Sequence, residues 1–381
     1  MSRDTLQMIC RSWRGLVASL WGTAYVGTWT NTQAIKALIK RKPLFIAVVI
    51  DTATDEALSI TSEKPYAALA IACASSPRWR SNTFKSFPSI ANILASNVTL
   101  FPLIPVEKLE TLSVGPNCDL TDGTQKLMEA IALATAPNII HLAISATNIL
   151  KEVNRFHWAR ILTQLTVLEV DVIRVREPVD LLHHCARLEV LKLSGVILYY
   201  PSPDDELPFA RTLHQLWLKQ SSIQWMVGHA FERLENCTLL KPRDPHSFNL
   251  TRNIHLPVCT RITLQTHLVR ILAAFDAPVA RKISIECNQW NKPRGDLELS
   301  RVWGQRWGQG TLRPRVLSLK LFCGDLALLE ALWHMDALQE LVLDLPHASA
   351  LGAFFFEAMC ATPMTPFTGR TEQEWFTWAE I

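Results

Sequence analysis

Charge is scarce in this chain. Only 19% of its 381 residues are charged, below the rough quarter carried by ordinary soluble domains. The 38 basic and 35 acidic side chains leave a formal charge of only +3, so the field predicts neither a nucleic-acid partner nor a membrane surface. Long apolar runs are missing too. The longest, near Leu44 to Ile50 and Ala67 to Ala74, are too short to cross a bilayer, and the N-terminus lacks the unbroken apolar stretch of a signal peptide. A soluble protein of the cytoplasm or nucleus is expected. The nine cysteines (Cys10, Cys73, Cys118, Cys185, Cys237, Cys259, Cys287, Cys323, Cys360) are odd in number and scattered, which reads as reduced, buried thiols rather than a disulfide framework.

Catalytic signatures are equally sparse. No Gly-rich phosphate loop, Gly-x-Ser-x-Gly elbow or His-Glu-x-x-His helix occurs. The closest approach, WGQRWGQG from Trp303 to Gly310, lacks the lysine and preceding strand that phosphate binding requires, and reads as the tip of a long insertion. His183, His184 and Cys185 are adjacent. On the helix expected there, successive side chains diverge by about 100° and cannot converge on one metal. His255, Cys259 and His267 lack a Cys-x-x-Cys pair, and Cys259 falls on an inward position. We therefore expect no catalytic residue, no cofactor and no metal.

What the chain does have is a repeat. Leu-x-x-Leu-x-Leu stands at Leu109, Leu112, Val114; Ile139, Leu142, Ile144; Leu165, Leu168, Val170; Leu188, Leu191, Leu193; Leu213, Leu216, Leu218; Val316, Leu319, Leu321; and Leu338, Leu341, Leu343. Weaker copies fall at Leu234, Cys237, Leu239; Cys259, Ile262, Leu264; and Ala280, Ile283, Ile285. Intervals between the ten starts are 30, 26, 23, 25, 21, 25, 21, 36 and 22 residues, centred on the window of about 20–29 that marks leucine-rich repeats. The second and third apolar residues alternate along a short strand, so both enter the interior. Gln125 to Ala134, Pro178 to Ala186 and Gly324 to Met335 read as helices or turns forming the opposite wall. No unit buries its apolar face alone, so neighbours must stack. The expected fold is α/β: a leucine-rich-repeat solenoid, a curved parallel sheet with helices and loops on its outer face.

The first clean repeat, LETLSVGPNCDLTD from Leu109 to Asp122, with Asn117 eight residues past its first Leu, resembles the cysteine-containing leucine-rich repeat of F-box proteins. Asn288 is the only other asparagine at the equivalent place, so no regular asparagine ladder is expected. In DTLQMICRSWRGLVASLW, residues 4 to 21, the apolar spacing predicts an amphipathic helix. Its Cys10, Arg11, Trp13, Arg14 and Leu16, then Leu20 and Trp21, resemble the closing half of an F-box. With the stretches around Pro43 to Asp51 and Ala67 to Pro88, they make the chain similar to F-box and leucine-rich-repeat proteins common in mushroom-forming fungi. The family's leading Leu-Pro-x-Glu-Ile segment would precede Asp4, so the resemblance implies a module truncated at its N-terminus. It also implies docking of a Skp-type adaptor in a cullin-type ubiquitin ligase, with Leu6, Ile9, Cys10, Trp13 and Leu16 as the adaptor-facing remnant. A helical cap over the first repeat is the alternative role.

The domains expected are a partial F-box-like helical segment at 1–30, divergent early repeats at 31–108, the solenoid at 109–345 with an insertion near 288–314, and an irregular C-terminal segment at 346–381. PLFIAVVID (Pro43 to Asp51) and RWRSNTFKSF (Arg78 to Phe87) read as strands of the early repeats. The C-terminal segment from Thr362 breaks the pattern and offers no polar cap, which suggests a gene-model artefact at both ends. Function is expected on the concave face, where alignment of the copies puts Glu169, Lys192 and Trp217 in one outward row and Asp171, Ser194 and Lys219 in the next. An exposed Trp between charges of both signs is the composition of an interaction hot spot; a solvated, salt-bridged sheet face is the plainer alternative. The reading is a non-enzymatic scaffold for a protein partner. Its alternatives are a repeat protein with no ubiquitin connection and a hydrolase within the insertion.

Overall fold

A computed structural model describes residues 21–27, 32–51, 76–86, 107–117, 138–145, 159–171, 184–196, 207–241, 254–265, 275–286, 318–322 and 339–343. Their contacts divide into two units, which meet in sequence between Leu234 and Glu235.

In the first unit every strand is parallel to the next. The order is β1 (Trp21–Gly27), helix α1 (Thr32–Lys40), β2 (Phe45–Asp51), β3 (Trp79–Ser86), β4 (Thr111–Asn117), β5 (His141–Ile144), the short helix α2 (Ala159–Leu162), β6 (Val167–Asp171), β7 (Val190–Ser194) and β8 (Gln215–Lys219). Sequence order is spatial order, which makes the unit a parallel β-solenoid. Two adjacent parallel strands need a crossover of a dozen residues or more between them, and the repeat spacing supplies it.

Register follows the repeat pattern residue by residue. Leu112, Leu142, Leu168, Leu191 and Leu216 are Cα partners in succession, as are Val114, Ile144, Val170, Leu193 and Leu218. All ten are buried, and so are Leu109, Ile139, Leu165, Leu188 and Leu213, the first residues of their copies. The pattern therefore buries three side chains per repeat, each worth about 1.5–3 kcal/mol relative to exposure. A one-residue slip would turn that whole set outward.

The start of each strand is closed in the same way. The backbone N–H groups of Ile140 and His141 both donate to the Glu110 carbonyl, those of Thr166 and Val167 to Ile140, those of Glu189 and Val190 to Thr166, and those of His214 and Gln215 to Glu189, at 2.8–3.0 Å. The side chains of Thr166 and Thr212 add hydrogen bonds to the carbonyls of Ile140 and Leu188, one repeat back. No asparagine ladder is needed beyond β7. There the buried Ser221 hydroxyl accepts from the Val196 N–H at 3.2 Å and donates to the Lys219 carbonyl at 3.0 Å.

The opposite wall after β8 is a 3₁₀ turn, Gln224–Met226, rather than an α-helix. Its buried Trp225 packs between Phe209 and Phe231, at ring-centroid distances of 5.8 and 6.0 Å, and donates its indole N–H to the Ser222 carbonyl.

The early repeats are real strands, and there is one more than the sequence suggested. Trp21–Gly27, read as the end of a helical segment, is β1, paired with β2 along its whole length. α1 packs its buried Ile35 inward and crosses so close to β1 that a Cβ on Gly22 would lie 2.5 Å from Leu38 Cδ1. The helix ends at Lys40, and two residues later Lys42, with a positive φ of 51°, precedes Pro43. A left-handed residue followed by proline is a common helix stop. Residues 4–20, the helices expected at 125–134 and 324–335, and the insertion at 288–314 lie outside the described residues. Cys185 and Ala186, at the end of the segment read as a helix or turn over 178–186, are not helical, and Ala186 lies in a turn.

The second unit repeats the plan with β9 (Asn236–Leu240), β10 (Ile254–His255), β11 (Arg261–Gln265), β12 (Phe275–Asp276), β13 (Lys282–Glu286), β14 (Ser318–Phe322) and β15 (Glu340–Leu343). Strands β9, β11, β13, β14 and β15 form one parallel ladder. β10 and β12 form a separate two-stranded pair. The carbonyl-sharing start recurs: Thr260 and Arg261 donate to Glu235, and Arg281 and Lys282 to Thr260. Leu191→Ala should lower unfolding free energy by about 2–5 kcal/mol in denaturant titration. Lys192→Ala, on the outward side of the same strand, should change it by less than about 1 kcal/mol.

Candidate functional site

In a pleated strand, the residues between the buried positions face the other side of the sheet. On β4 to β8 one outward row holds Thr111, His141, Val167, Val190 and Gln215, and the next holds Ser113, Ala143, Glu169, Lys192 and Trp217. Neighbours within a row sit about 4.8 Å apart. Glu169 and Lys192 are the only residues of these two rows with a fixed charge. The structure thus brings Glu169, Lys192 and Trp217 to equivalent positions on three consecutive strands.

The charges neutralise each other. Lys192 Nζ donates to Glu169 Oε1 at 2.7 Å, with the two side chains 47% and 34% exposed. An ion pair this open to water is worth about 0–1 kcal/mol, so it orients the two groups more than it stabilises the fold. Trp217 beside it is half-buried, leaving part of the indole available for contact.

Asp171 and Lys219 are exposed on the third outward row, whereas Ser194 between them is buried. The chain turns directly after Ser194 through Gly195, whose φ is 71° and whose N–H donates to the Lys219 carbonyl. The row runs Asp171, Ser194, Lys219 in register, as the sequence alignment placed it, with its middle member buried.

His141 completes the arrangement and was not among the expected site residues. Its Nε2 lies 3.7 Å from Glu169 Oε1, too far for a hydrogen bond, and has no hydrogen-bond partner. Burial holds its pKa below the ordinary 6.5; the Glu169 carboxylate pulls it up, and the Lys192 ammonium pushes it down again. Burial prevails, so near neutral pH the imidazole is uncharged and the contact with Glu169 is not an ion pair. The signal that could have found His141 is its place at the first outward position of the Ile139 repeat, one strand before Glu169.

The other chemistry-bearing residues do not converge. His255 Nδ1 meets Asp276 Oδ2 at 3.0 Å across the β10–β12 pair. Cys259 is buried at the first repeat position, its thiol directed to the Glu235 and Arg261 carbonyls. Burial pushes the Cys185 and Cys259 thiols up to about 12, and Cys237 well above its usual range. These three are buried thiols outside any disulfide, and burial makes them unreactive. His183, His267, Trp303 to Gly310 and the expected adaptor-facing residues Leu6, Ile9, Cys10, Trp13 and Leu16 lie outside the described residues. Among the described residues no group of three or more His, Cys, Asp or Glu is placed to hold a metal ion, and no helix is long and apolar enough to cross a membrane. No protein-family model, curated protein or solved structure matches the chain.

The folded-state pKa of His141 lies below its unfolded value, so protons favour the unfolded chain. Stability from the neutral imidazole is complete above about pH 6.5 and is lost as pH falls through the folded value. His141→Gln should flatten the corresponding slope in melting temperature measured across mildly acidic pH; an unchanged slope would assign the titration to another group.

Proposed function

We propose that the chain is a non-enzymatic interaction scaffold of the leucine-rich-repeat kind, holding a protein partner on the outward face of β4 to β8. The observation that carries this reading is the adjacency of half-buried Trp217 to the Glu169–Lys192 pair. Tryptophan offers large contact area at low entropic cost, and hot spots are enriched in it. The pair provides one acceptor and one donor group whose hydrogen bonds fix orientation. Val167 and Val190 lie half-buried in the neighbouring outward row, adding apolar surface. Repeat intervals of 21 to 30 residues over most of the chain and three inward residues per copy support the leucine-rich-repeat identity.

A finer reading makes the chain a substrate receptor of a cullin-type ubiquitin ligase. It rests on the resemblance of Cys10 to Trp21 to the end of an F-box, with Leu6, Ile9, Cys10, Trp13 and Leu16 turned to a Skp-type adaptor. A repeat protein with no ubiquitin role is the competing reading. A pull-down of the chain with purified Skp-type adaptor separates them: retention supports the receptor, and none at micromolar concentration removes it.

Trp217→Ala should weaken partner capture from native extract by tenfold or more, about 1.4 kcal/mol or above, with melting temperature nearly unchanged. A large fall in melting temperature would instead make Trp217 a packing residue.

A further inference from the structure

The second unit carries a cluster that the repeat scaffold does not require. Arg261 and Lys282 are Cα partners on adjacent strands β11 and β13, about 4.8 Å apart, and both side chains are exposed. Arg281, also exposed, directly precedes Lys282, and its N–H shares the Thr260 carbonyl with that of Lys282. Like charges opposed across a strand pair oppose folding. The Arg80–Glu110 pair in the first unit, at 2.5 Å, illustrates the usual remedy. Here there is none: among the described residues no carboxylate pairs with Arg261, Arg281 or Lys282. Along the row the neighbours are Asn236 on one side and Ser318 on the other, with Glu340 one strand beyond Ser318; the exposed Glu235, directly before Asn236, is the nearer acidic residue, its backbone carbonyl accepting the Arg261 N–H at 3.1 Å.

We propose that Arg261, Arg281 and Lys282 form a docking site for an acidic polypeptide segment, distinct from the Trp217 surface. Carboxylates two residues apart on an extended chain are separated by about 6.6 Å, within reach of two long, flexible cationic arms on adjacent strands. Flanking outward positions hold Asn236, Thr238, Thr263 and Ser284, which hydrogen-bond to a peptide backbone but offer no ring on which a base would stack. A net charge of +3 on the whole chain lacks the broad basic field that nucleic-acid backbones call for. Both facts favour a short acidic peptide over a nucleic acid.

The test is fluorescence anisotropy of the full chain with a labelled oligoglutamate peptide at low salt, beside a single-stranded oligonucleotide of matched length. The expected result is saturable peptide binding that weakens with salt. It should fall about tenfold or more in the double variant Arg261→Glu/Lys282→Glu at unchanged melting temperature, and survive in Trp217→Ala. No binding by the wild-type chain, or equal binding by the double variant, would overturn the proposal. So would equal loss in Trp217→Ala, which would place the peptide elsewhere, or tighter oligonucleotide binding with the same sensitivity, which would make the surface a nucleic-acid site. Since Trp217 takes no part in the cluster, the scaffold reading can fail while this one stands.

Discussion

Registered hydrogen bonding between consecutive parallel strands is the constraint from which the other features follow. One carbonyl at each strand start accepts two N–H groups from the next repeat: Glu110 serves β5, Ile140 β6, Thr166 β7 and Glu189 β8. With that origin fixed, the second and third apolar residues of each copy fall into line, and the leucine column from Leu112 to Leu216 closes without gaps in register. A single short strand burying two or three side chains could not repay the backbone entropy of ordering itself. Stability is shared between neighbours, as in other repeat arrays.

The same constraint explains why the outward face is free to specialise. Inward positions on β4 to β8 are apolar and vary little in type, whereas β3 places the buried Asn82 in register with Leu112. Outward positions meet water and are held only by the backbone; residues as different as Val167, Glu169 and Asp171 occupy one strand. Function on such a scaffold lies in side chains that packing does not dictate. On β6 to β8 the Glu169–Lys192 ion pair lies beside a tryptophan, whereas β11 and β13 set side by side two cations that pair with no carboxylate among the described residues.

Much of this was legible in the residues, because a period-two apolar pattern recurring at a near-constant interval has few structural solutions. Even the weak copies at Leu234, Cys259 and Ala280 lead into strands β9, β11 and β13. β1 was missed because Leu20 and Trp21 continue a helix-like apolar spacing, and β1 has the small Ala24 in register with Leu112 of β4. α1 escaped notice between two such strands. The two-residue β10 and β12 are too short to show periodicity at all. The bridging role of Ser221 is hidden because the repeat family places asparagine there, while the turn needs only one hydroxyl that both donates and accepts. His141 was overlooked for a related reason: its chemistry comes from its neighbour in space, Glu169, and not from its neighbours in sequence.

The central claim is that β4 to β8 form one cooperative in-register ladder presenting its outward rows as a fixed surface. Hydrogen–deuterium exchange of the full chain, resolved to peptides covering each strand, tests it most directly. Amides of β5, β6 and β7, each paired on both sides, should exchange slowly and with a common opening free energy, since they can open only together. Rapid exchange in β6 while β5 and β7 remained protected would contradict the ladder, and with it the surface built on Glu169, Lys192 and Trp217.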